Sequence, residues 1–150
     1  MSALTLRGSC VSIAGAGILL RGESGRGKSD LALRLIDAGA LLVSDDYVEV
    51  RREDGEVLAS PPGAIRGLIE LRGAGLIRVP YCENVALALV VDLLPSFRVN
   101  RHPERREAQI AGISLPLFAL AGLEPSAPAK VRALLQALKN DGFEGELRAT

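Results

Sequence analysis

Residues 22 to 29 read Gly22, Glu23, Ser24, Gly25, Arg26, Gly27, Lys28 and Ser29. A glycine, four residues, a second glycine, then Lys and Ser is the spacing with which a loop cradles the phosphates of a nucleotide. Each residue type has a physical task. Glycines accept backbone conformations that a Cβ forbids, so several N–H groups converge on phosphate oxygens. A helix starting at the end of the loop adds partial positive charge. Lys28 would meet the terminal phosphates as a point charge, and the Ser29 hydroxyl would ligate the Mg²⁺ that accompanies the nucleotide. Arg26 is expected to be solvated.

Two further groups could do chemistry. Asp45 and Asp46 follow the first apolar run after the loop, where open α/β sheets place their ligand crevice. Neighbouring side chains on an extended chain point oppositely, so the two carboxylates cannot share a task. One would support the Mg²⁺ side, and the other would accept the proton of an attacking hydroxyl. A solvated Asp-Asp turn before a hairpin reads the same way. In Ala64 to Arg78, Glu70 and Arg72 fall on one expected strand face among Gly67, Gly73 and Gly75; this suits a metal-phosphate centre, and equally an edge-strand ion pair.

The elements that must position these groups follow from pattern. The apolar run Ile18 to Leu20 suits a buried strand entering the loop, and Leu31, Leu33, Leu35 and Ile36 give helix spacing after it. That helix is expected over Lys28 to Ala38, with Gly39 as its C-terminal glycine. Two small strands precede the loop between Leu4 and Ile13, and Leu41 to Val43 reads as a strand buried on both faces. Val48 and Val50, a turn at Asp54 and Gly55, then Val57 and Leu58 read as a hairpin. Short strands are expected within Ile65 to Val79, a central strand at Val85 to Leu94, and an irregular stretch from Pro95 to Glu107. Ala108 to Ile113 alternates as a strand, Pro116 to Leu120 suits another, and Pro125 to Ala129 reads as a loop. Val131, Leu134, Leu135 and Leu138 mark a last helix over Lys130 to Leu138, ended by Asn140 to Gly142. Strands outnumber helices, so the expectation is an α/β fold with a mixed, twisted sheet and few helices rather than an even strand-helix alternation.

Composition narrows the function classes. At 150 residues one domain can bury roughly two-thirds of its unfolded surface. The 18 acidic and 18 basic residues balance, with five Phe and Tyr and no Trp, which argues against a nucleic-acid binder. No apolar run reaches membrane-spanning length and Met1 to Arg7 carries no leader pattern, so the expected setting is cytoplasmic with no membrane partner. Cys10 and Cys82 are too few for a disulfide framework or zinc site and are expected to be reduced, buried thiols.

Three segments taken together go beyond a generic phosphate loop. GESGRGKSD, LLVSDDYVEV and IRGLIELRGAGLIRV resemble, in order and spacing, the C-terminal catalytic domain of HPr kinase/phosphorylase, over roughly residues 7 to 135. The resemblance implies a P-loop kinase of the phosphoenolpyruvate carboxykinase-like type, a single domain over residues 1–150 without the N-terminal domain of longer members. It implies a cytoplasmic, Mg²⁺-ATP-dependent enzyme that phosphorylates a serine of the phosphocarrier protein HPr, and a phosphate-dependent reversal that yields pyrophosphate. Longer members form hexamers, so a homo-oligomer is implied as well.

Carried over by position, the nucleotide loop falls on Gly22 to Ser29, the proton-accepting aspartate on Asp46 with Asp45 as its supporting neighbour, and a second metal-associated carboxylate on Glu70. The signature segment around Glu70 departs from the family at Leu71, Ala74 and Arg78. An active-site arginine falls on Arg101, which composition alone makes a solvated loop charge. The segment linked to dephosphorylation falls near Pro128 to Ala133, with Lys130 and Arg132. Where the family has a histidine, this chain has Arg7, which cannot shuttle protons near neutral pH; the only histidine, His102, is expected on the surface. Two alternatives stay open: a kinase of the same fold acting on a small metabolite, and a nucleotide-sensing module that transfers nothing.

Overall fold

The computed structural model describes residues 3–140 and 142–143. Three strands lead into the glycine loop: β1 (Leu4–Arg7), β2 (Ser9–Ile13) and β3 (Ala16–Arg21). Ala14 and Gly15 join β2 to β3 with φ of 51° and 85°, the positive-φ hairpin turn that matches strand twist. Helix α1 (Lys28–Asp37) follows the loop. Gly39, at φ 110°, donates its N–H to the Ile36 carbonyl at 2.9 Å and ends the helix. Next come β4 (Leu41–Ser44) and the hairpin of β5 (Tyr47–Glu53) and β6 (Glu56–Ser60), turning at Asp54 and Gly55. A separate small hairpin, β7 (Leu68–Leu71) and β8 (Gly75–Arg78), precedes β9 (Val85–Leu93), β10 (Arg106–Ile110), β11 (Ile113–Leu120) and α2 (Ala127–Asn140).

Four expectations need correction. Ala108 to Ile113 is not one strand: Ala111 and Gly112 take φ of 50° and 81° and make a turn, so β10 starts earlier and Ile113 opens β11. Pro125 to Ala129 is not all loop, because α2 begins at Ala127, and Pro128 sits in the first turn where its missing N–H is no loss. Arg72 lies beyond the end of β7, so it does not share a strand face with Glu70. Cys10 is fully buried as expected, whereas Cys82 is half-buried.

The main sheet runs β1-β5-β6-β9-β3-β2-β4, with β11 also on β9 and β10 on β11. Strand β9 changes neighbour along its length. Its start pairs antiparallel with β6 at Ala86 and Val85, and its end pairs parallel with β11 from Val90 to Leu93. One flank therefore has two partners, and the sheet curls. Because β9 and β11 run parallel to β3, while β2 is antiparallel to both β3 and β4, strands β3, β4, β9 and β11 all end at the same edge. The glycine loop, Asp45, Leu94 and Ala121 thus line up along one carboxyl edge, the place where such sheets bind ligands.

Two apolar clusters hold this arrangement. Ile18, Leu20, Leu89 and Val91 pack with Leu31 and Leu35 of α1 and Val131 and Leu135 of α2. Leu19, Val43, Val50, Val57, Leu87 and Val90 fill the inside of the curl. Period-two alternation sends Ile18 and Leu20 one way and Leu19 the other, which is why the strand before the loop is uninterrupted in its hydrophobicity. Leu87 and Val90 share a face despite their odd spacing because the β3–β9 register shifts beside them, Gly17 pairing with Leu87 and Ile18 with Leu89. The skipped residue, Ala88, is a bulge that restores the parity.

Candidate active site

The glycine loop is held from below and from one side. Under it, Arg21 at the end of β3 donates two hydrogen bonds, of 2.7 and 3.1 Å, to the carboxylate of Asp92 on β9. At its side, a Cβ on Gly22 would lie 3.0 Å from the Leu93 carbonyl oxygen, and one on Gly27 would lie 2.7 Å from Leu123 Cδ2. Gly25 and Gly27 have φ of 85° and 89°. Space and backbone conformation together therefore require glycine at Gly27. Arg26 is half-buried rather than solvated.

Gly27 is the residue before α1, and no side chain caps the helix. Its first-turn N–H groups remain available to an anion, which a Ser or Asp cap would have competed with. Lys28 Nζ donates to the carbonyl oxygens of Gly22 at 2.5 Å and Glu23 at 3.3 Å. The ammonium is thereby folded over the cradle, at the level where phosphates would lie.

Asp45 is buried, with 7% of its surface exposed. It accepts hydrogen bonds from Ser29 Oγ at 2.7 Å, Ser9 Oγ at 2.7 Å and the Glu70 N–H at 3.2 Å. Asp46 instead reaches outward, its side chain half-exposed and 3.4 Å from Arg7 Nη2. The Arg7 guanidinium also lies over the Tyr47 ring, 5.1 Å from its centroid.

The two carboxylates diverge because of the backbone. Asp46 has φ 70°, and across it the Tyr47 N–H bonds the Asp45 carbonyl at 2.8 Å, the tight three-residue turn that is rare for any residue with a side chain. The turn is over-determined. The Gly8 N–H bonds the Asp46 carbonyl at 2.9 Å, and Ser9 Oγ accepts the Asp46 N–H at 3.3 Å. Strain at this position, fixed by Gly8 and by Ser9 of β2, is the kind that accompanies a working residue.

Sequence reasoning missed Ser9. It is fully buried and touches both aspartates, yet nothing in a serine at the start of a strand signals that. Glu70 is brought to the site through its backbone N–H, while its side chain is exposed. Arg101 lies on a bend after β9, at the rim of a cavity formed with β11 and α2. It makes no hydrogen bond or ion pair with the loop or the aspartates among the described residues. Its neighbour His102 is exposed.

Ser29 Oγ and the Asp45 carboxylate are hard oxygen donors already side by side, which fits Mg²⁺. Among the described residues no group of three or more His, Cys, Asp and Glu side chains could hold a metal ion.

A strand, a phosphate cradle and a helix, with a serine hydroxyl bonded to a buried carboxylate at the carboxyl edge of a mixed, curled sheet, define a P-loop kinase-type fold. The model of the HPr Serine kinase C-terminal domain matches residues 2–87, and the chain belongs to that family. HPr kinase/phosphorylase of Clostridium botulinum is 47% identical over 84 residues, covering 56% of this chain and 28% of that protein. The protein of that name from Bacillus cereus is 48% identical over 75 residues, covering 49% and 24%. The chain thus spans about a quarter of the length of these curated relatives. The solved structure of the Hpr(Ser) kinase/phosphatase from Coxiella burnetii superposes with a TM-score of 0.82 at 26% identity, covering 93% of this chain and 98% of that one.

Proposed function

We propose that the chain binds Mg²⁺-ATP in the Gly22–Ser29 cradle and transfers the terminal phosphoryl group to a serine of the phosphocarrier protein HPr, in the cytoplasm. The observation that carries this reading is the divergence of two adjacent carboxylates beside Ser29, one buried against the metal-binding hydroxyl and one open to an acceptor. The names of the relatives support HPr as that acceptor.

In this reading Lys28 leaves the loop carbonyls for the phosphate oxygens, and the free N–H groups at the start of α1 hold them. Ser29, with Asp45 behind it and Glu70 alongside, would hold Mg²⁺, which would supply positive charge to offset that of the phosphates. Asp46 accepts the proton of the serine hydroxyl. The serine oxygen bonds to the γ-phosphorus as the bond to the β–γ bridging oxygen breaks, and ADP leaves. Run backward with inorganic phosphate as the attacking group, the same residues would remove the phosphate and yield pyrophosphate. Arg101 supplies a fixed cation for the phosphate chain.

Arg7 favours a second reading. It sits on the proposed base, as a nucleotide-sensing module without transfer would allow. Incubating the chain with labelled ATP and either HPr or a metabolite panel separates the readings. Phosphoserine on HPr, located by mass spectrometry, is the expected result. A labelled metabolite, or an ATP-dependent HPr complex with no phosphoserine, would overturn it.

A further inference from the structure

The connection between β11 and α2 closes against the glycine loop, and apolar burial is not what seats it there. A Cβ on Gly122 would lie 2.7 Å from the Arg26 carbonyl oxygen, and one on Gly27 would lie 2.7 Å from Leu123 Cδ2. Leu123 nevertheless keeps 64% of its surface exposed. So little apolar area leaves water at this contact that a polar tie has to hold the bend in place.

Arg34 is that tie. From the second turn of α1 its Nη1 donates to the Glu124 carbonyl at 2.9 Å and its Nη2 to the Gly122 carbonyl, so one planar guanidinium spans the carbonyls on either side of Leu123. Asp30, one turn earlier on α1, meets Nη2 at 2.9 Å, an i,i+4 pair that aims the fork. The Arg34 side chain is only 27% exposed, and its Nε is buried without a hydrogen-bond partner among the described residues. A buried donor left unpaired is costly. Packing alone gives no reason for an arginine on this face, whereas the two carbonyls do. Because α1 begins directly after Gly27, Arg34 fastens the bend to the same rigid element from which the N–H groups at the end of the cradle project.

We infer that Arg34 is a positioning residue for phosphate binding: through Gly122 and Leu123 it holds Arg26 and Gly27 in the shape that turns the loop N–H groups toward phosphate oxygens. It acts through the bend and not on the phosphates themselves. A cradle whose left-handed glycines are held before the anion arrives loses less freedom when it binds. The inference rests on the proposed nucleotide-binding reading, and its test separates the two.

Calorimetric titration with inorganic tripolyphosphate, and in parallel with ATP, each with Mg²⁺ present, reads the cradle. Arg34→Met keeps a long side chain without the fork and should weaken both ligands by about tenfold, at a temperature where circular dichroism shows the variant folded. Arg34→Lys retains the charge but cannot span two carbonyls, so it should weaken both nearly as much. Leu123→Ala removes the other end of the brace at an exposed position. Alone it should weaken both ligands by about threefold or more, and in the Arg34→Met background it should add nothing, because the two changes break one link. Parental affinity in Arg34→Met, full recovery in Arg34→Lys, or additive losses in the double variant would overturn the positioning role and leave the cradle standing. Should neither Arg34 variant fold, Leu123→Ala decides: weakened binding supports the brace and parental binding overturns it. A parent chain that binds neither ligand overturns the nucleotide-binding reading and this inference together.

Discussion

At the scale of single residues, the account turns on a strained aspartate and a buried serine. Asp46 adopts φ 70° because Gly8, Ser9 and Tyr47 bond its peptide groups from three directions. Ser9→Ala removes a donor from Asp45 and strands the Asp46 N–H, so unfolding in denaturant should show a loss of about 1–2 kcal/mol. Transfer activity should fall with it, since the same hydroxyl holds the Asp45 carboxylate and the Asp46 backbone N–H. The aspartates themselves were legible from their place after a buried strand. Ser9 was not, because its role arises from β2 lying between β3 and β4, and chain order says nothing of which strands become neighbours. Arg7, at the family's histidine position, forms an ion pair with Asp46. With both side chains more than half exposed, that pair is worth little to stability, and Arg7→Gln should leave the melting temperature within a degree or two of parental.

At the scale of elements, the unit that works is β3, the loop and α1, and it was readable almost whole. Its apolar run, glycine spacing and helical stripe are local signals that agree with one another. What the sequence did not disclose is how the loop is braced. Leu93 from the end of β9 and Leu123 from the β11–α2 connection press on Gly22 and Gly27, contacts between residues far apart in the chain. Gly27→Ala places a side chain at φ 89° and against Leu123, which should cost roughly 1–3 kcal/mol. Nucleotide affinity, followed by calorimetry, should drop by tenfold or more while the far end of the sheet keeps its spectrum. The helix boundary at Ala127 was misplaced because Pro and small residues resemble a loop in composition. Pro in a first turn is a start signal only when the helix behind it is already known.

At the scale of the whole molecule, a curled sheet encloses one apolar cluster and packs the other against two helices, and no helix among the described residues is long and apolar enough to cross a membrane. The curl comes from β9 having different neighbours at its two ends, a pairing choice that strand propensity does not encode. Burial inside that curl pushes the Cys10 thiol far above its usual 9.0, with a smaller contribution from nearby Cys82, and burial raises Cys82 as well. The folded state holds these protons more tightly than the unfolded chain. Their contribution to stability is therefore complete below about pH 9 and declines as pH rises beyond it. Denaturant melts should show the loss above that pH, and a thiol reagent should modify Cys82 under native conditions but Cys10 only on unfolding. The most direct measurement for the central claim is a paired assay of Asp46→Asn: ATP affinity by calorimetry and phosphoryl transfer to HPr by label. The account predicts ATP affinity within a few-fold of parental and transfer reduced by orders of magnitude. Transfer to HPr at near-parental rate with Asn at this position would contradict it.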